Sequence, residues 1–418
     1  MDLDSGEQHL IEKVAAIDLG KAEMVCCVRV PGPGRGRAQE VRTFSTMAPS
    51  VLAMADWLAG LGVTRVVMEA TSDYWKPVFY LLEDTFETWL VNARDVKHLP
   101  GRPKTDRLDA VWLCKLAERQ MLRPSFVPDP PVRRLRDLTR YRVDLVGVRT
   151  AEKQRVEKLL EDAGVKLSVV ASDIFGVSGR AMLAALIAGE RDPGVLADLA
   201  RGRMRSKKAL LEAAFVARFG THHAFLLTAM LARVDAANAD IAGIEEQITA
   251  TLGELHDAAS RLVTIPGIGA CLAVAIIAEI GVDMSRFPTA GHLCSWAKFA
   301  PTVHESAGKS KSRPGTGHGN KYLARSLGEA AVMAGRSDTF LGARYRRIAR
   351  RRGKPRAIVA VGRSILVAIW HILSTPGATF IDLGADYYDS RINPERRVRN
   401  HVRDLQALGY RVILEPAA

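Results

Sequence analysis

Cysteine is scarce in this chain, and its few thiols are poorly placed for cross-linking. Five cysteines in 418 residues do not make a disulfide framework, and only Cys26 and Cys27 are adjacent. No Cys-x-x-Cys or His-x-x-x-His spacing occurs, which excludes a zinc site of the usual kind. Long apolar runs are missing as well. The stretch Cys271–Ile280 is too short to span a bilayer, and Ile358–Trp370 is interrupted by Arg363. The opening residues, Met1-Asp2-Leu3-Asp4-Ser5-Gly6-Glu7, are polar and acidic, unlike a signal peptide. Gly315-Thr316-Gly317-His318-Gly319 has neither a preceding strand nor the Gly-Lys-Ser/Thr ending of a nucleotide loop. There is no internal repeat and no low-complexity tract. These absences together predict a reduced, cytoplasmic protein with no membrane partner.

Acid is in the minority. Against 59 Lys and Arg stand 46 Asp and Glu, a net charge of +13, which favours a polyanionic partner such as DNA or RNA. At 418 residues the chain is long enough for two or three domains with proper cores, and its 48% apolar content is ordinary for a globular protein.

The order of elements predicts an α/β region followed by helices. Residues 13–30 read as two strands about a turn at Leu19–Glu23, and Glu40–Thr46 returns as a third. Pro49–Leu61 has helical spacing, Val63–Glu69 reads as a buried strand, Asp73–Asp84 as a helix, Glu87–Asn92 as a strand and Asp106–Gln120 as a helix. Strands joined through helices imply a mixed sheet with parallel members. Pro124–Pro131 is a break. Beyond it, Leu135, Leu138, Tyr141, Leu145 and Val148 mark a long amphipathic, coiled-coil-like helix over 133–163. Further helices follow through residue 252. Leu262–Ile280 reads as helix, glycine turn and helix, made either to present a helix N-terminus to phosphate or to turn a packing corner. His304–Lys321 is rich in Gly, Ser and Lys and reads as an exposed loop. The domains expected are 1–125, 126–255 and 256–418.

Within this frame four acids stand out. Asp18 ends the apolar run Ala15-Ala16-Ile17, Glu69 ends Val66-Val67-Met68, and Asp106 and Asp109 open a helix three residues apart. A carboxylate at the end of a buried strand is costly unless it is paired or bound to metal. Each acid also has an ordinary reading: Asp18 as a turn residue before Gly20, and Asp106 and Asp109 as first-turn acids that suit the helix dipole. Jointly, a sheet that gathers them would suit hard divalent cations, Mg²⁺ or Mn²⁺, and two-metal phosphoryl transfer.

Taken in order, the motifs resemble a known family. Ile17-Asp18-Leu19-Gly20-Lys21, Met68-Glu69-Ala70-Thr71, Lys104-Thr105-Asp106-Arg107-Leu108-Asp109-Ala110, Ile265-Pro266-Gly267-Ile268-Gly269, and Phe287-Pro288 through Phe299-Ala300-Pro301 are similar to those of the DEDD transposases of bridge-RNA-guided insertion sequences. The resemblance implies a ribonuclease-H or RuvC-like N-terminal domain, a helical middle and a mainly helical C-terminal transposase domain with a helix-hairpin-helix-like element. It implies that Asp18, Glu69, Asp106 and Asp109 hold metal. It further implies a nucleophilic serine soon after the Ala-Pro, which here falls at Ser306, with Ser310 and Ser312 close by. The serine would form a covalent phosphoserine with DNA, with His304 a candidate base. The expected partners are donor and target duplex DNA, a non-coding bridge RNA, and further copies of the chain in dimers and tetramers, one protomer's carboxylates serving another's serine.

Basic residues supply the remaining candidates. Lys309, Lys311 and Arg313 surround the serine, and Arg344–Arg356 holds eight basic residues and no acid, with Arg346, Arg347, Arg350 and Arg351 the expected backbone contacts. Arg201–Lys208 is a smaller cluster. Two other readings remain open on sequence grounds: a RuvC-like nuclease using metal-activated water, and a non-catalytic nucleic-acid-binding protein.

Overall fold

Val14, Ala15, Ala16 and Ile17 are all fully buried, so the first strand is covered on both faces and reads as a continuous apolar run. The structure, a computed structural model, describes residues 10–34, 36–92, 105–301, 305–306, 309–310, 316–388, 390–391 and 394–415. They fall into two compact units, Met1–Val127 and Pro128–Ala418.

The first unit contains β1 (Val14–Leu19), β2 (Glu23–Pro31), β3 (Arg37–Ser45), α1 (Ala48–Gly60), β4 (Arg65–Glu69), α2 (Trp75–Leu82), β5 (Glu87–Val91) and α3 (Asp106–Glu118). The strands form one mixed sheet in the order β3-β2-β1-β4-β5. β1, β2 and β3 pair antiparallel, whereas β1, β4 and β5 are parallel, as expected for strands connected through helices. Side chains alternate across the sheet. Ala15, Ile17, Leu19, Val66 and Met68 face the core shared with residues of α1 and α2, whereas Val14, Ala16, Cys27, Val67 and Val91 face α3.

The second unit is built on two long helices, α4 (Pro130–Asp162), with its N-terminus at a proline pair, and α9 (Thr221–Leu252). Arg142 meets Glu245, and Arg149 meets Asn238, so the two helices run antiparallel. Between them in sequence lie α5 (Leu167–Val170), α6 (Val177–Ala188), α7 (Pro193–Asp198) and α8 (Lys208–Ala214). These pack around Leu160, Leu167, Leu183, Leu211 and Leu227.

The C-terminal part holds α10 (His256–Val263), α11 (Ala270–Ile280), α12 (Ala290–Trp296), the short strands β6 (Glu305–Ser306) and β7 (Lys309–Ser310), α13 (Lys321–Ala334), α14 (Phe340–Arg352), α15 (Lys354–Ser374) and α16 (Pro394–Ala407). α11, α13 and α15 supply most of its core. Two sequence expectations change here. Arg363 does not interrupt the last apolar run: α15 continues for 21 residues, long and apolar enough by composition to cross a membrane. Its Val361, Ile365, Leu366, Ile369 and Ile372 are buried in the core, and Arg363 is on the exposed side. The segment read as a loop over 304–321 also contains the antiparallel pair β6 and β7.

The turn between α10 and α11 is a packing corner. Gly267 has φ +92°, and a Cβ there would come within 2.2 Å of the Ala330 carbonyl oxygen and 2.7 Å of the Ala334 nitrogen on α13. Glycine is required both for the backbone conformation and for the close approach of two backbones. Gly267→Ala is expected to destabilise the protein by about 3 kcal/mol or more, combining left-handed strain with overpacking. Chemical denaturation followed by circular dichroism checks this, and Gly269→Ala, where a Cβ meets open space, serves as the milder comparison.

Candidate functional site

Asp18 follows Val14 and Ala16 by even steps, and Glu69 follows Val67, so both carboxylates lie on the α3 face of the sheet. β1 and β4 are parallel neighbours with Ile17 opposite Met68, which makes Asp18 and Glu69 the next residues on each strand, side by side at one end of the sheet. α3 runs antiparallel to β1: Glu118 accepts from Ile11 N at 3.0 Å, and Cys114 Sγ lies 3.6 Å from the Val14 carbonyl oxygen. From Cys114 back to Asp106 the helix climbs ~12 Å, and from Val14 to Asp18 the strand climbs ~13 Å. The first turn of α3 is therefore level with Asp18.

Thr105 starts that turn, its hydroxyl accepting from Leu108 N at 3.4 Å. Asp109 precedes the fully buried Ala110 and is half-buried, as are Asp18 and Glu69, whereas Asp106 is exposed. The four acids therefore share one end and one face of the first unit. They are not drawn into a closed cage: among the described residues, no three His, Cys, Asp or Glu side chains are grouped closely enough to hold a metal ion. The oxygen donors of Asp18, Glu69 and Asp109, half-shielded from water, with the exposed Asp106 beside them, suit a hard cation.

The other end of α3 carries a residue that the sequence reading missed. Glu118 is buried and takes Arg29 Nε at 3.0 Å and Arg37 Nε at 2.6 Å. These pairs bind the C-terminus of α3 to β2 and β3. Beneath the helix, Cys27 and Cys114 share a hydrogen bond that lowers the Cys27 pKa, while burial pushes the Cys114 thiol up.

In the second unit, Ser306 lies on β6 opposite Lys309 on β7, and Ser310 is opposite Glu305. Ser312, His304, Lys311 and Arg313 lie outside the described residues. The chain on both sides of this segment is pinned. Upstream, the Phe299 ring presses so closely on Gly362 of α15 that a Cβ there would come within 2.6 Å of it. Downstream, a Cβ on Gly319 would come within 2.8 Å of the Ala297 carbonyl oxygen. Asn320 then caps α13, its Oδ1 accepting from Tyr322 N at 3.0 Å and Leu323 N at 3.2 Å, while its Nδ2 donates to Glu279.

Glu279 is 1% exposed. It also accepts two bonds from Arg140 of α4, at 2.8 and 2.7 Å, and has Arg136 at 3.6 Å. Arg140 in turn stacks over Tyr322 at 4.7 Å. One buried carboxylate thus ties the long helix to the downstream base of the serine segment.

The basic run 344–356 is divided by Gly353, at φ +84°, between α14 and α15. Arg346 bonds the Ser337 carbonyl oxygen at 2.8 Å and pairs with Asp338, whereas Arg347, Arg350 and Arg351 are exposed. In the smaller cluster, Lys207 donates to the Val170 carbonyl oxygen at 2.8 Å and Lys208 pairs with Asp198, so part of that charge is used locally.

Comparison with known proteins gives this arrangement a class. Residues 15–164 match the IS110 type of DEDD transposase, and residues 259–346 match the transposase IS116/IS110/IS902 family. A transposase for insertion sequence element IS1111A from Coxiella burnetii is 26% identical over 329 residues, covering 76% of this chain and 79% of that protein. A probable family 20 transposase from Pseudomonas aeruginosa is 26% identical over 283 residues, 66% of this chain and 74% of its own. A pilin gene-inverting protein from Moraxella bovis is 33% identical over 123 residues, 29% and 38% of the two chains. The chain belongs to the IS110 family of insertion-sequence transposases.

Removing Glu279 leaves two arginines and a helix cap without their common acceptor. Glu279→Ala is expected to cost about 3–5 kcal/mol, as for other buried pairs broken on one side. Arg140→Ala, at a more exposed position, is expected to cost less. Urea titrations of the three proteins test the ranking, and equal midpoints would refute it.

Proposed function

We propose that this protein is an RNA-guided DNA recombinase of an insertion sequence, cutting and rejoining strands through a covalent phosphoserine at Ser306. The observation that carries its phosphoryl-transfer chemistry is the placement of Asp18 and Glu69 side by side on the sheet face covered by α3, level with the turn that holds Asp106 and Asp109. The sheet order β3-β2-β1-β4-β5, with three antiparallel strands leading into parallel ones, supports a ribonuclease-H or RuvC-like first domain. We assign that domain to 1–125, a helical connecting domain to 126–255 and the serine-bearing transposase domain to 256–418.

Asp18, Glu69, Asp106 and Asp109 would hold the cation, Mg²⁺ or Mn²⁺. When bound, it would supply charge neutralisation at the scissile phosphate. The chain's own part is nucleophilic. Ser306 Oγ attacks phosphorus, a P–O bond to the serine forms, and the P–O bond to the departing sugar breaks. The serine proton passes to a base, for which His304 is the candidate, and the departing oxygen takes up a proton. The free hydroxyl of a partner strand then attacks the phosphoserine and restores Ser306. Lys309, Lys311, Arg313 and the exposed arginines of α14 offset backbone charge. Donor and target duplexes, a bridge RNA and further copies of the chain complete the assembly, which acts in the cytoplasm.

Ser306→Ala is expected to abolish the covalent protein–DNA adduct and to lower recombination by ~10³-fold or more, as is usual for loss of a nucleophile. Asp18→Ala is expected to do the same with the serine intact. The assay supplies donor and target duplexes together with the RNA that co-purifies with the wild-type chain, identified by sequencing. Cut ends without an adduct in the wild-type protein would replace the serine reading with a water-using nuclease. Unchanged activity in Asp18→Ala and Asp109→Ala would leave a non-catalytic binding protein.

A further inference from the structure

Arg344, Arg347, Ile348, Arg351 and Arg352 recur along one face of α14, three to four residues apart. With Tyr388 they line a cavity of about 310 Å³, and among the described residues no acid lines it. Tyr388 comes from the segment after α15 and is firmly set. Its ring stacks on Phe340 with centroids 5.6 Å apart, the Arg347 guanidinium lies 4.5 Å above it, and its hydroxyl accepts from Arg344 Nη1 at 3.0 Å. Asp382 fixes the same segment by accepting from Phe340 N at 3.0 Å.

Arg344 Nε is buried and, among the described residues, has no hydrogen-bond partner. A buried donor on a charged group left without an acceptor is costly, and native proteins seldom keep one without a use. Four guanidinium groups around one cavity also repel each other until an anion neutralises them. The planar fork of arginine matches a phosphate better than it matches a compact halide, since two N–H groups can reach two oxygens together.

We propose that this cavity is a socket for a single phosphodiester of a nucleic-acid backbone, held by Arg344, Arg347 and Arg351 and walled by Tyr388. The proposal rests on the nucleic-acid reading above and deepens it. It divides the basic run by role: Arg346 is occupied with Ser337 and Asp338, and Arg350 does not line the cavity. Arg344 and Tyr388, which the charge run alone does not single out, become the residues that shape the site. The tyrosine hydroxyl is a positioning group, since it orients Arg344 and does not itself neutralise the phosphate.

The test measures binding of the full chain carrying Ser306→Ala, so that chemistry does not intervene. Labelled duplex DNA and labelled single-stranded RNA are titrated separately between about 50 and 200 mM salt. Loss of one phosphate contact is expected to reduce the slope of log affinity against log salt by ~0.9 for duplex DNA or ~0.7 for a single strand, and to weaken binding by about tenfold at ~100 mM salt. Arg344→Gln, Arg347→Ala and Arg351→Ala are each expected to lower the slope for the same probe, which identifies the phosphate as belonging to DNA or to RNA. Tyr388→Phe keeps the ring packing and removes only the hydroxyl, and is expected to weaken binding with little change in slope.

Unchanged slopes in all three arginine variants on both probes would overturn the proposal. An equal loss in Arg350→Ala would also overturn it, since the effect would then belong to the general charge of the helix. A wild-type chain with a steep slope that no cavity variant alters has an idle socket, whereas a wild-type slope near zero removes the nucleic-acid reading itself.

Discussion

The packing of α3 across one face of the sheet is the constraint on which the first unit depends. Strand side chains alternate, so burying Val14, Ala16 and Val67 under the helix commits Asp18 and Glu69 to the same side. The antiparallel course of the helix then decides which of its ends meets those acids. Glu118 pins the far end to β2 and β3 with two arginines, and the near end is left with Thr105, Asp106 and Asp109. A single register, set by apolar packing, therefore places polar groups that have little packing energy of their own.

The second unit relies on a different device. Its serine segment is bordered by contacts that tolerate no extra atoms, Phe299 against Gly362 and Gly319 against the Ala297 carbonyl, and by the Asn320 cap joined to Glu279. A buried carboxylate is an expensive anchor unless its lone pairs are filled, and here Arg140 and Asn320 fill them while Arg136 adds charge. Family membership links this framework to transposition. The roles of Ser306 and of the four acids are the functional reading built on it.

Much of the sheet was legible because its central strands are buried on both faces and therefore appear as short, unbroken apolar runs. The acids that end those runs were visible for the same reason. Helices were legible from apolar spacing over both α4 and α9, whereas their antiparallel pairing was not, since nothing local tells Arg142 that it meets Glu245 more than a hundred residues away. Glu118 and Glu279 escaped notice for a similar cause: each looks like an ordinary helical acid until the fold buries it. Arg363 misled in the opposite direction. A charge within an apolar run suggests a break, yet a helix can carry it on the solvent side without interruption.

The paired helices α4 and α9, 33 and 32 residues long, make a rod of ~50 Å. Such a rod keeps time as well as distance. Adding one residue to only one helix would rotate everything beyond it by about 100° and advance it ~1.5 Å, so that Arg142 and Glu245, or Arg149 and Asn238, would fall out of phase. Length changes along this arm are tolerable only when both helices change together by near-whole turns, which makes the arm a ruler graduated in steps of ~5.4 Å.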